Sequence, residues 1–469
     1  MPAIPCDNGC AGSNLIKMKR RSFIKKVGLT AGTIISAPYI LPSGRLFANT
    51  GARVVNHVVF VLFGGGIRNQ EAVEQAFVAH QPGQSAEGNI MRNMLDGAPP
   101  TEGLDLFNYA GGNGMWNPVL SEPLSKQGAY FKEVLYREGP TGHYNGHTVA
   151  MTGVYTETGL NLNVNPEFPT VFEYYRKHSD PAQSALNAWW ISEGLGPYPS
   201  LNYSRYPGYG AAYGANYMRP LTLFAEGMPG FRQLKDAVLY QPDDVARIDK
   251  VKSFLDRNFE NNASELPGIQ NPTDHREAIK AFYLETLEKV KSGTLEFPTP
   301  NNNPNLLTGD LMALTGAWEV LNRFAPELTV VNTTNLDICH SNFTGYLNFL
   351  HRADYGVGWL WNKIQNHPVL ANDTIMVCIP EHGRNLAPNN LKDNNNLLAF
   401  DHTGDDNSRR VFSLIVGPED KVVRQTFGTD GMPAAESVDI VPTIAHILGF
   451  YDDMPHGLLN GRVLTEAFL

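Results

Sequence analysis

With 469 residues, 37 Lys plus Arg against 47 Asp plus Glu, and a formal charge of −10, the chain has no strongly basic face to offer a nucleic acid. Its 44 Gly, 32 Pro and 42% hydrophobic content describe a loop-rich globular protein, long enough to bury a large core as one domain with insertions or as two smaller ones. Four cysteines are too few for a disulfide scaffold, and Cys339 and Cys378 read as small buried residues rather than a redox pair.

Residues 19–26 (KRRSFIKK) form a twin-arginine export signal, followed by a moderately apolar stretch at 27–41 that is too short and too Gly/Thr-rich to span a membrane. Cys6 and Cys10 precede this signal, and both Met1 and Met18 stand as candidate starts. The expectation is a leader over 1–50 and a periplasmic or otherwise exported protein that engages the twin-arginine machinery and has no stable membrane span. Passengers of that pathway usually fold, often with a metal or cofactor loaded, before they cross.

Residues 56–63 (NHVVFVLF) are a continuous apolar strand running into Gly64, Gly65 and Gly66, where the backbone can approach a ligand closely; the GK[ST] end of a phosphate-binding loop is missing. The Gly/Asn-rich stretch 75–116 reads as a long surface excursion. Helix and then strand follow over 118–138, delivering the chain to 141–148 (TGHYNGHT), two imidazoles and two hydroxyls ahead of an expected helix, a plausible anion site. FPTVFEYYRK at 168–177 opens another helix with Pro near its start, and ALNAWWIS resembles the next strand. The Tyr/Gly/Pro-rich segment 197–217 reads as an aromatic-packed surface loop or as a lip over an active site. Residues 195–325 are expected to form an insertion or cap.

Strand character returns at 328–338, with Asp337 and His340 at its end; 342–365 is an amphipathic helix; TIMVCIP at 374–380 is a buried strand that stops at Glu381 and His382. Asp401 and His402 close the following polar loop, 410–416 is a further strand, and 439–450 is a helix with Pro in its first turn. Strands alternating with helices imply an α/β protein with a mixed, mostly parallel central sheet flanked by helices on both faces. Ligands of such sheets bind beyond the carboxyl ends of the strands. Asp337, His340, Glu381, His382 and His402 all fall there, and imidazole with carboxylate is a donor set for Zn²⁺ and similar ions. Neighbouring residues of an extended chain point to opposite faces, so Glu381 and His382 can share an ion only if the strand has already broken; Gly383 permits that.

Five segments in order resemble the alkaline-phosphatase superfamily, whose fold is shared by phosphatases, arylsulfatases, phosphodiesterases and cofactor-independent phosphoglycerate mutases. LSKQGAYFKEVLY is similar to the approach to the family's nucleophile. TGVYTETG resembles TGxYPxxHG, and FPTVFEYYRK resembles PTxxExLRK. DTIMVCIPEHGRN resembles DTxxxxxSDHG, and VDIVPTIAHILGF with NGRVL resembles xDxxPTxxxLLG with DGRSL. The EHGR…DH arrangement also resembles SEFGR…DH of the DUF1501 group of exported proteins. The resemblance implies an alkaline-phosphatase-like domain over 54–469 and a two-metal site. Asp337, His340 and His402 would hold one ion, Glu381 and His382 would contribute to the other, and Zn²⁺ is favoured over Ca²⁺, Mg²⁺ or Mn²⁺.

That site implies a hydrolase of a small-molecule or glycan phosphate or sulfate ester. Thr141 or Thr148 would be the nucleophile unless water attacks directly, His143 a base, acid or extra ligand, and Arg384 or Arg68 a partner for the ester oxygens. The departures are definite: the turn after the first strand has no Asp, the nucleophile position counted back from Thr152 is His143, and no Cys-x-Pro-x-Arg occurs. The alternatives are a relative that binds an anionic ligand in the same pocket without turnover, and a phosphomutase-like isomerase.

Overall fold

The computed structural model describes residues 53–111, 114–156, 165–179, 182–192, 200–220, 275–429 and 431–469; the twin-arginine segment lies outside them. In chain order the main elements begin with β1 His57–Phe63, β2 Gly128–Leu135, α1 His143–Thr152, α2 Val171–His178, β3 Ala188–Ser192 and β4 Asn216–Met218. Then come α3 Arg276–Ser292, α4 Gly309–Phe324, β5 Leu328–Thr333, α5 Phe343–Gln365, β6 Thr374–Pro380, β7 Arg410–Val416, β8 Gln425–Phe427, β9 Ala435–Glu436 and α6 Ile440–Ile447.

The strands form one nine-stranded sheet in the order β4-β3-β5-β1-β6-β7-β2-β8, with β9 also on β2. Only β7 runs against the rest, pairing antiparallel with β6 and β2. The sheet is therefore mixed and mostly parallel, as the alternation of elements predicts. β1 lies between β5 and β6, in register Phe63↔Thr333 and Phe63↔Pro380, so three strands end level with one another.

The unbroken apolar runs follow from burial on both faces. In β1, Val59, Val61 and Phe63 join one core with α3, α4 and α5, while Val58, Phe60 and Leu62 join the other with α1, α2 and α6. Thr170 opens α2 with a capping box to Glu173, and Asn342 caps α5 by accepting from the Gly345 N–H.

One segment departs from expectation. The 75–116 stretch is not a surface excursion: Phe77, Ile90, Met91, Met94, Phe107 and Trp116 are buried in the first core. Its Gly and Asn residues serve tight turns that are tied down from α5, where the Asp354 carboxylate accepts the N–H groups of Asn93 and Met94. Of the expected insertion or cap over 195–325, residues 195–199 and 221–274 lie outside the described ones; in the rest, β4 is the edge strand on β3, and α3 and α4 contribute to the first core. Of the described tyrosines in 197–217, Tyr209 packs on α2 against Tyr174 and under Lys177, and the Glu173 carboxylate accepts from Ser204 and Gly210.

Candidate metal centre

Beyond the level ends of β1, β5 and β6, three loops and the start of α1 converge. The Gly64–Gly66 turn shows why glycine is required there. A Cβ on Gly64 would lie 2.2 Å from the Thr333 carbonyl oxygen, and one on Gly66, at φ +72°, would lie 2.4 Å from His382 Nδ1. The close approach is to the Thr333 carbonyl, the Asp337 backbone and the His382 ring. Gly146 does the same for α1, since a Cβ there would lie 2.6 Å from the Glu381 carbonyl oxygen. The helix thus starts at His143, inside the expected pre-helical segment, and sets His143 and His147 against the end of β6.

His143, Asp337, His340 and His402 bring one donor atom each to within 4.8 Å of one another; His143, Glu381 and His382 form a second, overlapping group. His143 links them, with Nε2 2.9 Å from Asp337 Oδ1 and Nδ1 2.8 Å from Glu381 Oε1. His340 Nε2 is 3.2 Å from the same Asp337 oxygen, and His382 Nε2 is 3.3 Å from His143 Nδ1. The chain has left strand geometry after Pro380, so Glu381 and His382 do reach one place.

The surroundings set the protonation of each donor. A carbonyl oxygen can only accept, so His402 Nδ1–H donates to Thr141 O at 2.6 Å and His382 Nδ1–H to Gly383 O at 2.6 Å. Both Nε2 lone pairs are left facing the cluster. Burial, then the charges of His143 and Arg384, lowers His402 to about 3; burial and the neighbouring His402 hold His382 far below its ordinary value. Both rings are therefore neutral, the form that ligates a metal.

Burial works against ionisation of Glu381, but His147, His143 and His382 overcome it and hold the carboxyl well below its usual range; Asp337 is lowered against burial by His143, His340 and Arg384. Burial also opposes charge on His143, yet Glu381 and Asp337 raise it to about 10. Two carboxylates thus share one imidazolium, a concentration of negative charge that a divalent cation would neutralise. Oriented imidazoles, ionised carboxylates and imidazole Nδ1–H groups bound to fixed acceptors are a donor set that fits a transition-type ion.

His147 and Asp401 complete the setting. His147 is buried, with Nδ1 against Glu381 Oε2 and Nε2 2.8 Å from Asn332 Oδ1 at the end of β5. Asp401 Oδ1 lies 2.6 Å from His340 Nδ1. Sequence reasoning counted His147 only among the imidazoles of a plausible anion site; the signal for its place beside the donors was its i+4 spacing from His143 on α1.

Two expected roles change. Arg384 is fully buried. It donates to Phe400 O at 2.8 Å, Leu336 O at 3.2 Å, Asp337 Oδ1 at 3.2 Å and the Gly65 carbonyl, so it clamps three site loops instead of facing an ester. Arg68 is likewise committed, to Glu71 and to the face of Phe400 at 3.8 Å. Of the hydroxyls, Thr141 Oγ1 donates to the His402 carbonyl and lies 3.2 Å from Ser408 Oγ. Thr148 is buried and sits five residues along α1 from His143, about 140° round the helix.

Fold and site together define an α/β protein with a candidate metal centre at the carboxyl edge of its sheet. No protein-family model and no curated protein sequence matches the chain. Solved structures that resemble it include an alkaline phosphatase superfamily protein from Vibrio parahaemolyticus, 12% identical, spanning 92% of this chain and 76% of that one at a TM-score of 0.37. A 2-O GAG sulfatase is 9% identical over 87% of this chain and 73% of its own, at a TM-score of 0.41. A mutant form of the alkaline phosphatase PafA is 10% identical over 90% and 100%, at a TM-score of 0.43. At these scores the likenesses carry no residue-level correspondence.

Proposed function

We propose that the protein is an exported metal-dependent hydrolase of a phosphate or sulfate ester, working through a donor arrangement of the two-metal type. The observation that carries this reading is the meeting of six metal-capable side chains from four separate segments, in two groups that share His143. The nitrogen-rich set favours Zn²⁺ over Mg²⁺ or Ca²⁺, which prefer oxygen. A bound ion supplies Lewis-acid stabilisation of the charge that develops on a transferred phosphoryl or sulfuryl group. The chain's residues hold the donors: Arg384 fixes Asp337, Asp401 fixes His340, and the Thr141 carbonyl fixes His402. Export rests on the twin-arginine motif at 19–26.

A second reading, binding of an anionic small molecule or glycan without turnover, is favoured by one feature. His143 stands where the resemblance places a nucleophile, and the Thr141 hydroxyl is already donated to the His402 carbonyl. Purified protein tested for bound metal and for hydrolysis of phosphate and sulfate ester panels decides between them. Metal with turnover is expected; metal-dependent thermal stabilisation with no turnover on any ester selects the binding reading, and a metal-free inert protein refutes the hydrolase.

A further inference from the structure

Resting on the metal-dependent reading, we infer that the two donor groups are unequal: the Asp337 group holds the single resident ion, with His143 as a fourth protein ligand, and Glu381 is an orienting residue rather than a ligand of a second resident ion. An ion at His143 Nε2 would replace the proton held there toward Asp337 and leave a neutral ring with one N–H and one lone pair, so His143 can ligate only one ion. On its Nδ1 side, Glu381 Oε1 already accepts the Gly65 N–H at 2.5 Å and lies 2.8 Å from His143 Nδ1, while Oε2 lies against His147 as an ion pair without a hydrogen bond. With His143 given to the other group, Glu381 and His382 alone would be left to hold a second ion, one donor short of the three protein ligands usual at a zinc site.

The remaining member of that group, His382, has its Nε2 lone pair aimed at His143 Nδ1 at 3.3 Å, which suits acceptance of the same N–H. The Nε2 side is different. Asp337 Oδ1 lies 2.9 Å from His143 Nε2 and 3.2 Å from His340 Nε2, and His402 presents Nε2 because its Nδ1 is tied to Thr141 O. Each of the three imidazoles has its own acceptor on Nδ1: Glu381 for His143, Asp401 for His340 and the Thr141 carbonyl for His402. That repeated pattern, a ligating Nε2 with an oriented Nδ1–H, is how protein imidazoles are held toward a metal. Three nitrogens and one carboxylate oxygen make a complete set for Zn²⁺ or Co²⁺. The residue at the nucleophile position would be the fourth ligand instead of attacking the ester, and an ester oxygen would enter as a fifth.

The test is calorimetric titration of the chelator-stripped full chain with Zn²⁺ alone, checked by elemental analysis, beside E381Q and H382Q variants whose folding is verified by circular dichroism. One ion per chain is expected. Glu381→Gln should keep that stoichiometry with about 10–100-fold weaker affinity, as for loss of an outer hydrogen-bond partner. His382→Gln should also bind one ion. Two ions per wild-type chain, one of them lost in His382→Gln, would overturn the inference while leaving the hydrolase reading standing. No ion at all in the wild type would remove the hydrolase reading itself. The wild-type stoichiometry decides the matter even if a variant fails to fold.

Discussion

Replacing Arg384 by Met separates a clamp from a catalytic cation. The guanidinium is fully buried and joins the loops after β1, β5 and β6 through Gly65 O, Leu336 O, Phe400 O and Asp337 Oδ1. Methionine fills much of the volume but leaves three buried carbonyl oxygens and a carboxylate short of a donor. At about 1 kcal/mol per hydrogen bond, somewhat more for the charged one, the loss is about 4 kcal/mol, within the range for breaking a buried ion pair. For the unit over residues 49–469, with about 2 cal/mol/K per residue, that corresponds to a fall in Tm of about 5 °C. Differential scanning calorimetry with parallel Zn²⁺ titration reads both effects, and metal affinity should fall as well because Asp337 is released. Arg384→Lys should rescue little, since an ammonium cannot span three loops. A variant with wild-type Tm and wild-type Zn²⁺ affinity but no ester turnover would refute this reasoning and restore Arg384 as a partner of the ester oxygens.

Other perturbations probe separate parts of the structure. Gly66→Ala forces a side chain into the His382 ring at a positive φ, so a stability loss above about 1 kcal/mol is expected by denaturant melts; an unchanged midpoint would mean the turn is looser than drawn. Thr141→Val should cost about 1 kcal/mol of stability through the lost bond to the His402 carbonyl while ester turnover persists; abolished turnover in a folded variant would make Thr141 the nucleophile. Burial first, with Arg352 and Arg92 nearby, lowers His351 to about 4 against the Ile90 hydrogen bond, and its Nε2 accepts the Trp116 N–H at 2.7 Å. The folded state therefore disfavours the proton. The stabilisation is complete above the ordinary pKa of about 6.5 and falls by about 3 kcal/mol as pH drops toward 4, flattening below. Chemical denaturation of wild type against His351→Gln from pH 8 to pH 4 should show the wild-type advantage shrinking over that window; parallel curves would contradict it.

The strands β1 and β6 were legible because burial on both faces demands uninterrupted apolar residues, and that signal survives in a single sequence. β4, β8 and β9 were not, since two or three residues held by backbone pairing leave no periodicity to read. The metal-capable residues could be named because they interrupt apolar runs. Their spacing could not reveal that His147 packs under Glu381, which depends on the missing side chain of Gly146. For Arg384, a cation beside acidic and imidazole groups reads as an anion contact, and its burial and bonds to three carbonyl groups leave no trace in the spacing.

The placement of β1 also bears on the order of events during synthesis. Its neighbours, joined at Val58↔Leu328 and His57↔Thr374, are made some 270 and 317 residues later. A growing chain must hold an apolar strand unpaired while most of the protein is still to come, and parallel pairing over such separations is slow. Until β6 emerges, this exposed edge is a point of aggregation and chaperone dependence. Because the Asp337 and Glu381 loops are set by those same pairings, ion capture is tied to the last stages of folding, and starvation for metal should appear first as slow, incomplete maturation rather than as an unstable finished protein.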